Sequence, residues 1–215
     1  MDTSGNYEEL GYLHVRELIA PEVARAFMAA LKDDLGPAPL ELSLAVRHDP
    51  VLTRPAFEFN GRAYKPMSFF LWAMTPTISR LIGRDLLPTY DYFRFYRRGD
   101  ICKVHSDRPS CEHSVSLTLA YSDGQPWDLE LEKARTPRAS PMTEDFGLEP
   151  YSSVTMQVGD AVLYQGVHHR HGRTTPNSNA WSAHLFLHFV ERGGPYADHA
   201  FDQRANLQPV EFSFV

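Results

Sequence analysis

Cysteine occurs only twice in the 215 residues, at Cys102 and Cys111, too few for a disulfide framework. No apolar run approaches the ~20 residues that a bilayer-spanning helix needs, so no membrane partner is expected. The opening MDTSGNYEEL is acidic and polar, without the basic and apolar regions of a secretory signal. Both thiols are therefore expected reduced, in a cytoplasmic protein. Positive charge is also short: 21 Lys and Arg against 27 Asp and Glu give a formal charge of −6. That balance disfavours nucleic acid or an anionic membrane surface as the main partner. Repeats, low-complexity tracts and an interdomain linker are lacking as well. A hydrophobic content of 43% nevertheless allows a substantial core, and the length predicts one domain over 1–215.

The chain changes period near its middle. Gly11 to Ile19 reads as a short strand, and Pro21 suits the first position of a helix because its missing N–H would be unpaired there. Val23, Phe27, Leu31 and Leu35 then form a stripe that ends at Gly36-Pro37. Residues 38–66 read as loop with short strands. A helix is expected over Met67–Met74, and a second from the N-cap Thr75 with Pro76 behind it, ending near Gly83. After Pro88 alternation takes over. Thr89 to Arg97 sets Tyr90, Tyr92, Arg94 and Tyr96 against Asp91, Phe93 and Phe95. Ser114–Tyr121, Trp127–Glu132, Val154–Gln157, Ala161–Gln165 and Trp181–Val190 are further strands separated by turns. The Pro- and Ser-rich stretch 133–153 lacks periodicity, and a loop this long is expected to be either disordered or functional, often a lid. Helices first and strands afterwards predict an α+β protein: helical support over about 1–87, a jelly-roll core over about 88–202, and a tail over 203–215.

Within the strand-rich part stands the one His-x-Asp, His105 and Asp107. Two residues apart on an extended segment, the imidazole and carboxylate point to one side and can grip one metal ion. A second His from the cluster His168, His169 and His171 would complete a 2-His-1-carboxylate triad, the ligand set of non-haem Fe(II) oxygenases.

The order Tyr96-x-x-Gly99, His105-x-Asp107, Gly159-Asp160-Ala161-Val162-Leu163-Tyr164, then His and a closing strand, resembles the Fe(II)/2-oxoglutarate-dependent dioxygenases. The resemblance covers roughly 88–202 and is to the prolyl-4-hydroxylase-like and AlkB-like branches. It extends to uncharacterised bacterial members with an HxDRP-x-C-E segment, matched by His105 to Glu112, and a closing segment matched by Phe186 to Phe189. It implies a double-stranded β-helix (jelly roll), Fe(II), 2-oxoglutarate as cosubstrate, dioxygen, and hydroxylation of a C–H bond. In those members the distal ligand follows a Tyr-x-Gly, and an Arg stands two positions beyond. This places the ligand at His171, after Tyr164 and Gly166 and before Arg173, with His169 and then His168 as alternates.

The usual cation for the distal carboxylate of 2-oxoglutarate is missing. Its family position falls on Ala180, two before Ser182, and no Lys or Arg occurs from Thr174 to Glu191. Arg173, Arg94 and Arg108 are the substitutes, in that order, because a guanidinium fork matches a carboxylate. Tyr96, by its AlkB-like counterpart, is expected at the cosubstrate; Ser182 and His184, sharing a strand face, are expected to line the pocket, and His188 reads equally as a core histidine. Tyr90, Tyr92 and the loop 133–153 are expected around a small-molecule substrate. The alternatives are an Fe(II) oxygenase without 2-oxoglutarate and a cupin-like metal-binding module without turnover.

Overall fold

The computed structural model describes residues 2–36, 46–137, 140–203 and 212–213. Most of the expected tail 203–215, and 38–45 of the stretch 38–66, lie outside the described residues. Twelve strands follow in chain order among the described residues: β1 (Thr3–Asn6), β2 (Tyr12–Val15), β3 (Val46–Arg47), β4 (Ala56–Asn60), β5 (Leu86–Arg97), β6 (Cys102–His105), β7 (His113–Tyr121), β8 (Leu129–Glu132), β9 (Tyr151–Val154), β10 (Ala161–Tyr164), β11 (His171–Arg173) and β12 (Trp181–Glu191). They form an eight-stranded sheet, β1-β2-β10-β7-β12-β5-β4-β3, and a four-stranded sheet, β6-β11-β8-β9, with every pairing antiparallel. The helices are α1 (Tyr7–Leu10), α2 (Pro21–Leu35) and α3 (Lys65–Ile82), with a short turn at Ala200–Gln203. None is long and apolar enough to cross a membrane.

Alternation divides the large sheet into two chemically different faces. Phe93 on β5, Val115, Leu117 and Leu119 on β7, Leu163 on β10, and Leu185, Leu187 and Phe189 on β12 share one apolar core. Ala24 and Leu31 of α2 and Met67, Leu71, Ile78 and Ile82 of α3 cover that face. The opposite face carries Arg94, Tyr96, Ser114, Ser116, Ser182, His184 and His188, all buried. Polar groups buried there must find partners, which is why this side holds the site.

Several elements depart from the sequence expectation, among them the strand expected at Val154–Gln157, which lies at Tyr151–Val154 instead. The two helices predicted around Thr75 are one, with Pro76 inside it. Met67, Leu71, Ile78 and Ile82 lie on one buried side of it. Their burial, about 1.5–3 kcal/mol each, exceeds the ~3 kcal/mol cost of an internal proline. Thr75 is no cap; its hydroxyl donates to the Leu71 carbonyl at 3.0 Å. The stretch before 88 is also more than helical support, because β1 to β4 extend the large sheet at both edges. The described part of the loop after β8 makes contacts of its own: Phe146 is buried and stacks on Tyr151 at 4.6 Å, and Val104 pairs with Thr143.

Candidate metal centre

His105 ends β6 and His171 opens β11, and the antiparallel register sets them opposite each other. Their rings lie 4.5 Å apart. Asp107 follows just beyond β6, its Oδ1 3.7 Å from His105 Nε2 and 3.6 Å from His171 Nε2. The other ring nitrogens are spoken for: His105 Nδ1 donates to the Lys103 carbonyl at 2.8 Å and His171 Nδ1 to the His169 carbonyl at 3.0 Å. A carbonyl only accepts, so these bonds put a proton on each Nδ1 and aim both Nε2 atoms toward Asp107. Asp107 Oδ1 lies from each Nε2 at a separation that two metal–ligand bonds of about 2.1 Å can bridge, and the three ligand atoms all lie within 4.8 Å of one another. The donor set fits a divalent cation.

Asp107 is held from its other side. Its N–H donates to the Gly166 carbonyl at 2.8 Å, and Ser114 Oγ donates to Oδ2 at 3.1 Å. Ser114 in turn meets His188 Nδ1 at 2.9 Å. Gly166 is needed for this approach: a Cβ there would sit 2.2 Å from Asp107 Oδ2 and 2.9 Å from Ser114 Oγ. Burial pushes the Asp107 carboxyl up, but His171 and then His105 override it and hold it well below the usual carboxylate range. Burial pulls His105 down, yet the Cys102 sulfur and Asp107 raise it to about 9. In the metal-free protein a proton therefore does part of what a cation would do.

His168 and His169 are not in the cluster. His169 Nδ1 bonds the Glu132 carbonyl at 3.0 Å, and its ring packs on Gly11. His168 Nδ1 bonds the Thr136 carbonyl at 2.9 Å. Strand geometry separates them: the chain between Tyr164 and His171 is a turn, so only His171 has entered β11.

The three arginines all line one cavity of about 470 Å³ with the metal triad, yet their surroundings differ. Arg173 is 2% exposed and shares the strand face of His171. Its guanidinium bonds the Trp127 carbonyl, touches Ser116 Oγ and Met156 Sδ at 3.5 Å, and lies 4.8 Å over the Trp127 ring. Among the described residues no carboxylate pairs with it. Arg94 is equally buried but already paired, to Asp49 and Glu58 at 2.7 Å each. Its Nη1 also donates to the Tyr96 hydroxyl at 3.2 Å. Arg108 is exposed and rests on Tyr90.

Ser182 is not among the residues that line this cavity; Asn177 at 3.0 Å and His184 at 3.2 Å occupy its hydroxyl. Ala180, at the family's cation position, precedes β12 and bonds Asp123 at the surface. Sequence reasoning missed Asp49 and Glu58, which lie in a stretch without periodicity, and Ser114, which looks like any strand serine. Gly166 was legible only as part of Tyr-x-Gly.

No protein-family model matches the sequence, and no curated protein matches it significantly. Solved structures do match. The non-haem α-ketoglutarate-dependent carbocyclase SnoK of nogalamycin biosynthesis superposes with a TM-score of 0.63 at 13% identity, over 86% of this chain and 81% of that one. A Pseudomonas putida prolyl-4-hydroxylase gives 0.58 at 14% identity, over 87% and 96%. HygX from Streptomyces hygroscopicus, solved with nickel, 2-oxoglutarate and hygromycin B, gives 0.62 at 12% identity, over 86% and 84%. The chain thus has the α+β double-stranded β-helix fold of the Fe(II)/2-oxoglutarate-dependent oxygenases.

Proposed function

We propose that this protein is an Fe(II)- and 2-oxoglutarate-dependent oxygenase that hydroxylates a C–H bond of a small molecule, with 1–215 as one catalytic domain. The observation that carries it is the convergence, in one cavity, of the His105–Asp107–His171 donor set and a buried Arg173 with no carboxylate partner among the described residues. A buried, unpaired guanidinium is costly, and an anion entering from the cavity removes that cost. His105, Asp107 and His171 hold the metal from one side and leave the cavity side for ligands. Arg173 pairs the distal carboxylate of 2-oxoglutarate, in place of the absent cation at position 180. Iron loaded with this cosubstrate and dioxygen supplies the oxidising chemistry. Tyr96, tied to Arg94, forms part of the wall against which the cosubstrate is oriented. The small neighbouring ligand hygromycin B, in HygX, supports a small-molecule substrate here.

Anaerobic titration with Fe(II), with and without 2-oxoglutarate, tests this. A weak visible absorption band that needs both components, and is lost in Asp107→Ala, is expected. Iron binding without such a band, and without a thermal shift on adding 2-oxoglutarate, would favour an oxygenase that does not use it. No metal binding at all would end the oxygenase reading.

A further inference from the structure

Besides Asp202, which is paired with Arg62, the cavity contains two charged features that the metal and cosubstrate leave unused. The first is Arg108, exposed and next in sequence to Asp107. Its guanidinium lies 4.4 Å over the Tyr90 ring and its Nε donates to the Tyr90 hydroxyl at 3.3 Å. Tyr90 is anchored in turn by Cys111 Sγ at 3.1 Å. Arg108 is thus steadied by an aromatic face, and among the described residues no carboxylate pairs with it. A fork held this way, with free N–H groups, suits a carboxylate.

The second feature is one step along β5. Tyr92 lies 6.2 Å from Tyr90, nearly parallel at 18°, and Arg94 packs 5.1 Å over its ring. Arg94 meets two carboxylates, Asp49 and Glu58. Two acids against one guanidinium leave a formal excess of one negative charge. The acids are the open part of this group: their side chains are 33% and 21% exposed, against 4% for Arg94. The cavity wall therefore carries a positive end at Arg108 and a negative end at Asp49 and Glu58, with two tyrosine rings between them.

We propose that the substrate is a small zwitterion, its carboxylate held by Arg108 and its ammonium by Asp49 and Glu58, with its body against Tyr90 and Tyr92. This deepens the proposed function and rests on its assignment of Arg173 to the cosubstrate. With that assignment the dianionic cosubstrate is drawn to the buried arginine and repelled by the acidic end. The zwitterion needs both ends of the wall at once, so a molecule with one charge gains half the pairing.

The test uses full-length protein loaded with Ni(II) and 2-oxoglutarate, with a panel of α-, β- and γ-amino acids, each also as its amide and its N-acetyl derivative. Binding is read by calorimetry and thermal shift. At least one amino acid is expected to bind, with its amide and its N-acetyl form each at least about tenfold weaker, the change that one lost charge pair of roughly 1.4 kcal/mol produces. Arg108→Ala should weaken the amino acid and erase its advantage over the amide. Asp49→Asn should erase its advantage over the N-acetyl form. Both variants should bind 2-oxoglutarate like the unaltered protein. The proposal is overturned if singly charged forms bind equally well, if no panel member binds protein that does bind 2-oxoglutarate, or if Arg108→Ala weakens 2-oxoglutarate instead. Failure of 2-oxoglutarate to bind the unaltered protein overturns the cosubstrate reading, and the panel repeated with Ni(II) alone then decides the zwitterion separately.

Discussion

Replacing Arg173 by Met separates a ligand-binding arginine from a structural one, because the two roles move ligand-free stability in opposite directions. The side chain is 2% exposed, and its guanidinium has a carbonyl, a hydroxyl, a thioether and the Trp127 ring around it, with no carboxylate partner among the described residues. The ring contact is worth about 0.5–2 kcal/mol, whereas desolvating an unpaired charge costs several. Methionine keeps much of the stem's volume and removes the charge. Metal-free, ligand-free Arg173→Met should therefore melt at the same temperature as the unaltered protein or above it. The 2-oxoglutarate complex should behave oppositely. Truncating one side of a buried charge pair costs roughly 2–5 kcal/mol, so affinity should fall at least about thirtyfold. The thermal shift given by a fixed 2-oxoglutarate concentration should shrink accordingly. Iron affinity should be nearly unchanged, and Arg173→Lys should recover part of the loss. Arg94→Met is the matched control: it leaves Asp49 and Glu58 without their cation and should lower ligand-free stability. Unchanged 2-oxoglutarate affinity in Arg173→Met, or a ligand-free melt several degrees lower, would refute the reasoning. A larger ligand effect in Arg94→Met would move the anchor to β5.

Three further outcomes are expected. His105→Ala, Asp107→Ala and His171→Ala should lose bound iron with the far-UV circular dichroism spectrum retained, whereas His168→Ala and His169→Ala should keep it; iron loss confined to the His169 variant would displace the ligand set. Gly166→Ala forces a methyl to within 2.2 Å of Asp107 Oδ2 and should weaken metal binding about 10- to 100-fold, as losing a ligand's support does; equal metal affinity by competition with a chelating dye would contradict this. Burial lowers both His113 and His188 to about 4, below an unfolded value near 6.5. The unfolded state then binds more protons between those values, so this contribution is intact above pH 6.5 and lost as pH falls toward 4. The loss is at most roughly 3–4 kcal/mol for each, at about 1.4 kcal/mol per pH unit. Urea melts of metal-free protein at pH 7 and pH 5 should show it, and His113→Gln should flatten the slope by about one proton.

Periodicity alone determined the two-faced character of the large sheet. The alternation in 89–97, 114–121 and 181–190 assigned Phe93, Leu117 and Leu187 to one side and Arg94, Ser116 and His188 to the other, because a strand has no freedom to do otherwise. His-x-Asp was legible for the same reason, as a local pattern whose geometry follows from an extended backbone. The helix through Pro76 was not, since a propensity of a few kcal/mol yields to packing that only the assembled core supplies. Nor could the sequence rank the arginines on physical grounds. Arg94 and Arg173 are both buried, on strands that face one cavity, and differ only in what surrounds them. Asp49 and Glu58 come from 45 and 36 residues upstream to neutralise Arg94, while Trp127, Met156 and Ser116 surround Arg173 without charge. Whether a buried charge is satisfied depends on groups brought together from distant parts of the chain, and that is decided only when the two sheets close on each other.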